Sequence, residues 1–249
     1  MAAPDAAIKE LAPTGRLRVA IAVGPSPSAL WTVRDAATGR PKGVPVELGT
    51  AMAVRLGVPV ELVEYSSSGE IVASRDKDAW DVTFVPVDDD RKKAIDFGAP
   101  YHLLQSTYLV APGSTIRTLA EANRAGVRIA IVDGTATGRA SVAASPNATT
   151  VKVKNPDEAV ELMRAGKLDA IALSRESVGG LVDALPGSRV LEEAFLNSTT
   201  AVAVLQNRPA ARAFATDFIE EAKASGLVRR AFDAMGLRSS QVAPAGMKA

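Results

Sequence analysis

The chain has 249 residues, 29 Lys plus Arg against 28 Asp plus Glu, one His and no Cys. A formal charge of +1 leaves no basic excess to neutralise phosphates, which argues against nucleic acid as a partner. Without Cys there are no disulfides, thiolate metal sites or Cys nucleophile, and one His leaves little room for zinc or Ser–His chemistry.

Met1 to Ala7 is small and polar, with no hydrophobic targeting core; it reads as a native start or as a Met placed before a signal-stripped chain. Leu17–Val23 (LRVAIAV) is an apolar, β-branched run and reads as a buried parallel strand. A helix over Glu47–Leu56 stops at Gly57, and a strand over Val58–Val63 follows. Trp80–Val87, which contains Phe84 and Pro86, reads as a strand running into Asp88-Asp89-Asp90-Arg91. Ser106–Ala111 is extended, and Val127–Val132 is a strand leading into the turn Asp133–Gly138. The clearest helix follows: Asn155 caps it, Pro156 opens it, Asp157 and Glu158 face its positive end, and Gly166 closes it. Strands over Leu168–Leu173 and Thr199–Leu205 come next, and Ser239–Ala249 reads as a loose tail. No apolar run approaches the roughly 18–20 residues of a membrane-spanning helix.

Strand–helix–strand units predict a mixed α/β chain with doubly wound parallel sheets, whose ligands sit beyond the carboxyl ends of the strands. Ser106–Ala111 and Thr199–Leu205 read as two crossing strands between lobes, giving a first lobe of 1–108 plus 202–249 and an inserted second lobe of 109–201. No internal repeat is evident. Arg91 is either a guanidinium aimed at a ligand carboxylate or part of a solvated charge cluster in which Asp88 to Asp90 only cap a helix. Small residues in Gly134-Thr135-Ala136-Thr137 let a ligand approach backbone N–H groups, although an ordinary strand-to-helix turn explains them equally well. The turn is neither a Walker loop nor a dinucleotide fingerprint. Ser66-Ser67-Ser68-Gly69 is either a ligand contact or a helix cap, Trp31 either a cleft lid or a loop anchor, and His102 reads as structural.

Together these segments resemble the family-3 extracellular solute-binding proteins, the type II periplasmic receptors of amino-acid ABC importers. The resemblance runs from about Leu17 to Gly236. It rests on Gly15-Arg16-Leu17-Arg18-Val19-Ala20, on Lys42 to Leu48, on Ala51 to Val58 and on Ala165-Gly166-Lys167-Leu168-Asp169-Ala170. Most telling is Arg91 to Tyr101, close to the family's RKK-x-x-DFS-x-PY segment. The resemblance implies two lobes closing on a ligand, with Arg91 as carboxylate clamp. The neighbouring strand-end position falls at Pro86 or Asp88, and the second-lobe contact at Thr135, Ala136 and Thr137. Phe84, Ser67, Trp31 and Ser174 complete the expected ligand set, with no catalytic residue, metal or cofactor.

Departures from the family concern the ligand's ammonium. Ser174 stands where the family's amino-acid binders place an Asp, Ala22 stands at an acidic position, and Pro25 and Ser67 stand where aromatic walls are usual. A buried ammonium without an anion is costly. Either Asp88 replaces that charge or the ligand is a carboxylate without an α-ammonium. The expectation is a monomeric periplasmic binding protein that hands a small carboxylate-bearing solute to an ABC permease. The alternatives are a dehydratase-like enzyme, with Asp88 or His102 as general acid, and a ligand-sensing domain.

Overall fold

The computed structural model describes residues 3–23 and 31–249. They divide into two compact units, one of residues 3–23, 31–103 and 198–249, the other of Leu104–Asn197. In chain order the elements begin with α1 (Asp5–Leu11), β1 (Leu17–Ala22), β2 (Val33–Arg34), β3 (Pro41–Lys42), α2 (Val44–Leu56) and β4 (Val60–Tyr65). Next come α3 (Ser68–Ala73), β5 (Val82–Pro86), α4 (Asp89–Lys92) and the long β6 (Asp96–Val110). The second unit adds α5 (Leu119–Ala122), β7 (Arg128–Val132), α6 (Ala136–Ala144), β8 (Thr149–Val153), α7 (Pro156–Arg164), β9 (Ala170–Ser174), α8 (Arg175–Leu181) and β10 (Arg189–Val190). The chain ends with β11 (Leu196–Val204), α9 (Pro209–Ala224), α10 (Leu227–Ala234) and β12 (Gln241–Val242).

In the first unit the strand order is β4-β1-β5-β11-β6, with β12 added to β6. Strand β1 is parallel to β4 and β5, and β11 is antiparallel to β5, Thr200 opposite Pro86 and Val204 opposite Val82. In the second unit the order is β6-β9-β7-β8, β7 being parallel to both its neighbours. Alternation along β7 places Ala130 and Val132 in one apolar cluster, with Val160 and Met163, and Ile129 and Ile131 in another, with Tyr108 and Ala172. The sheet is therefore covered on both faces, as a doubly wound α/β unit requires. The first unit's core is built around Trp80, Ile71, Ile95 and Val85.

Helix α2 crosses β1 at Gly49, where an added Cβ would lie 2.7 Å from Val19 Cγ1. Exchanging a helical Gly for Ala ordinarily stabilises by roughly 0.5–1 kcal/mol. Here the stiff, β-branched Val19 cannot yield, so Gly49→Ala should instead lower stability by about 1–3 kcal/mol. A denaturant midpoint equal to or above wild type would contradict this.

Each unit is fastened at the start of its parallel strands by the same device. Arg18 donates its backbone N–H and Nε to Asp81 Oδ2 at 3.0 and 2.9 Å, and Nη2 to Oδ1 at 2.8 Å. Arg128 grips Asp169 identically, at 2.8, 2.9 and 3.0 Å. In both units the remaining Nη1 reaches the carbonyl three residues before the Asp, of Asp78 or Gly166, and both of those residues have positive φ. The helices before these turns match as well. Ser67 caps α3 and Asn155 caps α7, while Glu70 and Glu158 reach back to the N–H groups of Ser66 and Lys154. From the helix caps to the aspartates these pairs stand 88 residues apart along the chain, while Arg18 and Arg128 are 110 apart, so an internal repeat exists with a longer segment between arginine and helix in the first unit. It is carried by hydrogen-bond geometry on few identical residues, which is why letter comparison misses it. Arg128 holds the Asp169 carboxyl below the usual range.

Other differences from the expected elements have local causes. Helix α2 starts at Val44, because Pro45 in the first turn lacks only an N–H that would have no acceptor there. Asp5–Leu11 is helical and buries Ala7 and Leu11. The expected loose tail is tied down: Gln241 and Val242 pair with Leu103 and His102, and Ala243 N–H donates to the Tyr101 carbonyl at 3.0 Å. No helix among the described residues is long and apolar enough to cross a membrane.

Candidate functional site

All five residues of β5 are buried, so its end at Pro86 brings the chain to the surface at a fixed point. There Asp88, extended in its backbone, caps α4 by accepting the Arg91 N–H at 2.8 Å. That cap turns the Arg91 side chain inward, leaving it 2% exposed. Its Nη1 donates to the Pro86 carbonyl at 3.0 Å and its Nη2 to Ser68 Oγ at 2.9 Å. Asp88 Oδ2 lies 3.7 Å from Nε, a loose ion pair. The solvated charge cluster consists of Asp89, Asp90, Lys92 and Lys93, which are exposed, and does not include Arg91. A guanidinium fixed in this way, planar and cradled by oxygen acceptors, is prepared for a second planar anion.

The serine that meets Arg91 is Ser68, while Ser67 is taken up in capping α3 through Glu70 N–H. Phe84 lies within β5, 3% exposed, and packs edge-on against Tyr101 with ring centroids 5.9 Å apart. It is placed in the core of the first unit. Trp31 is half-buried, and its carbonyl lies where a Cβ on Gly43 would clash. Pro25 lies outside the described residues. His102 is fully buried, with Nδ1 3.4 Å from Thr200 Oγ1 and its ring edge-on to Phe232.

In the second unit the carboxyl end of β7 turns into α6 at Thr135, whose hydroxyl donates to the Val132 carbonyl and accepts from Gly138 N–H. A Cβ on Gly138 would lie 2.8 Å from Val132 O, so only glycine lets the helix start this close to the strand. The N–H groups of Ala136 and Thr137, at the positive end of α6, have no acceptor within the helix. Thr137 Oγ1 meets Ser106 Oγ at 3.1 Å, and Ser106 lies opposite Ser174 in the β6–β9 register. Ser174 caps α8, and its Oγ donates to Ser177 Oγ at 2.9 Å. These four hydroxyl side chains are buried and neutral. They can exchange hydrogen bonds with carboxylate or hydroxyl oxygens, but none offers an ammonium a counter-charge. Among the described residues no group of His, Cys, Asp or Glu is arranged to hold a metal ion.

Ser106 and Ser177 were not singled out by the sequence. Ser68 was legible only as a member of the Ser66–Ser68 run. Ser106 and Ser177 become visible through the pairing of β6 with β9 and the cap on α8.

Residues 20–234 match the family model of bacterial extracellular solute-binding proteins, family 3. A glutamine-binding protein of Geobacillus stearothermophilus is 23% identical over 171 residues, a match spanning 67% of this chain and 64% of that relative's length. A variant of ArgBP from T. maritima superposes with a TM-score of 0.80 at 20% identity, covering 92% of this chain and 99% of the other. The L-arginine-bound amino acid ABC transporter substrate-binding protein AbpA from Streptococcus pneumoniae gives a TM-score of 0.80 at 22% identity, covering 93% and 99%. An ancestral amino acid-binding protein, AncCDT-1, described as a precursor of cyclohexadienyl dehydratase, gives 0.79 at 23% identity, covering 92% and 98%. With a family model spanning most of its length and the α/β fold of these structures, the chain belongs to the bacterial extracellular solute-binding proteins, family 3.

Proposed function

We propose that this chain binds a small carboxylate-bearing solute in the periplasm and delivers it to an ABC importer. The observation that carries the reading is the buried Arg91 guanidinium, held by the Pro86 carbonyl and Ser68 Oγ at a strand's carboxyl end. The first-turn N–H groups of α6 and the Ser106–Thr137 hydroxyl pair supply donors of the kind a carboxylate accepts. The similar proteins include ones that bind arginine or glutamine, which share a carboxylate. Binding rather than turnover is proposed, because His102 has no exposed surface and the Asp88 carboxylate is engaged in capping α4.

The same reading sets the ligand class. Ser174 is neutral, and Asp88 faces Arg91 with one carboxylate oxygen on its N–H and the other near its Nε. An α-ammonium drawing on Asp88 would compete with that cap and ion pair. The site should therefore prefer a small hydroxy, keto or aromatic acid over the standard amino acids. A thermal-shift panel that pairs each amino acid with its deaminated analogue tests this. A ligand of micromolar affinity supplied at millimolar concentration adds about 4 kcal/mol. Stabilisation by an amino acid but not by its analogue would overturn the preference, and repeating that pair in Asp88→Asn would show whether Asp88 supplies the charge. No stabilisation by any carboxylate would overturn the proposal itself.

A further inference from the structure

The repeated clamp differs between the two units in one respect. In the first unit the left-handed residue is Asp78, and its Oδ1 bridges two guanidinia, accepting from Arg18 Nη2 at 3.3 Å and Arg208 Nη2 at 3.0 Å. At the matched position of the second unit stands Gly166, which has no side chain to offer. There the clamp opens onto a cavity of about 730 Å³ lined by Arg128, Gly166 and a further guanidinium, Arg164. Arg164 is exposed and donates to the Ala184 carbonyl at 2.8 Å and to no other described residue. Asp169 is the one carboxylate among the described lining residues, and it is already bound by Arg128. The accessible apolar part of the wall is formed by Ala111, Pro112, Ala184 and Pro186, which are half-buried or exposed, with Met163, Leu168 and Leu185 buried behind them.

Two guanidinia against one engaged carboxylate leave an excess positive charge beside an apolar floor, in a space within the range of small-molecule sites. We propose that this cavity is a second ligand site for a small organic carboxylate, whose anion takes the place that the Asp78 side chain holds in the first unit and whose apolar body lies on Pro112, Ala184 and Pro186. The proposal stands apart from Arg91 and survives or fails independently of it. Every residue it uses lies within Leu104–Asn197.

The test uses 4-fluorobenzoate as the probe, titrated by fluorine NMR against the full chain carrying Arg91→Ala, which removes the carboxylate clamp proposed above. Saturable binding is expected, at an affinity that reads out below about 10 mM. Adding Gly166→Asp should abolish it, because the new carboxylate fills the place of the probe's anion. Adding Arg164→Ala should weaken it on the order of tenfold through loss of a charge-assisted hydrogen bond. Gly166→Asp is compatible with the fold: a Cβ there meets nothing within 4 Å, and Asp78 adopts the same conformation in the first unit. Circular dichroism melts confirm that each variant is folded. Absence of saturable binding in the Arg91→Ala chain, or binding that persists unchanged in Gly166→Asp, overturns the proposal.

Discussion

Arg91→Ala is expected to bind the carboxylate identified by the thermal-shift panel at least tenfold more weakly than wild type, and Arg91→Lys should fail similarly. The guanidinium is 2% exposed and pinned by two acceptors, so a bound carboxylate would be fully desolvated against it. Removing one partner of such a pair costs on the order of 2–5 kcal/mol, because the other is left buried without compensation. Lysine restores the charge but not the planar pair of donors. Arg91 is no member of the apolar cluster around Trp80 and Ile95, so the fold should persist. Calorimetry on the folded variant decides the matter, and wild-type affinity there would remove Arg91 from the binding site.

The second large effect concerns stability. Asp81 has no exposed surface and accepts from the Arg18 backbone N–H, the Arg18 guanidinium and Arg208 Nη1. The two arginine side chains are only 12% and 21% exposed. Deleting the carboxylate leaves two largely buried cations with only the exposed Asp78 carboxylate between them, so Asp81→Ala should cost about 3–5 kcal/mol. In a chain of this size that corresponds to a fall in melting temperature of roughly 6–20 °C. Asp169→Ala breaks the equivalent clamp, but its members are 32% and 39% exposed and only one guanidinium is involved. Solvent screens that pair, so its loss should be less than half as large. Equal losses at the two positions would show that burial and the second arginine do not set the energy of the clamp.

What the sequence disclosed, and what it did not, follows the range of the interactions. Helix α7 was readable residue by residue, because Asn155, Pro156 and Glu158 act on backbone groups within a single turn. Strands β1, β4, β5, β7, β9 and β11 were readable as apolar runs with ends displaced by up to a few residues, but β6 begins at Asp96, well before the expected Ser106, and the half-exposed β8 was not foreseen. Arg91 was readable as a candidate from its place after a strand and from the family segment around it. Its actual acceptor was not, since Ser67 and Ser68 are chemically identical and only the cap geometry divides their roles. The Arg18–Asp81 clamp joins residues 63 positions apart, and nothing local marks either member. The pairing of Gln241 with Leu103 depends on an edge of β6 that exists only after folding.

The order of strands also bears on how the protein comes to be made. Strand β11 lies between β5 and β6, yet its residues Thr200–Val204 follow the entire second unit in the chain. During synthesis Leu104–Asn197 emerges complete and can pair all its own parallel strands, while β5 still awaits its antiparallel neighbour. Until then the first unit presents Val82–Pro86, buried at every residue in the finished protein, as an open apolar edge. Closing that edge joins segments separated by more than a hundred residues, a slow step for a sheet of high contact order. The nascent chain thus stays incompletely folded and prone to edge pairing until nearly its last fifth is made, an interval in which a chaperone has something definite to shield.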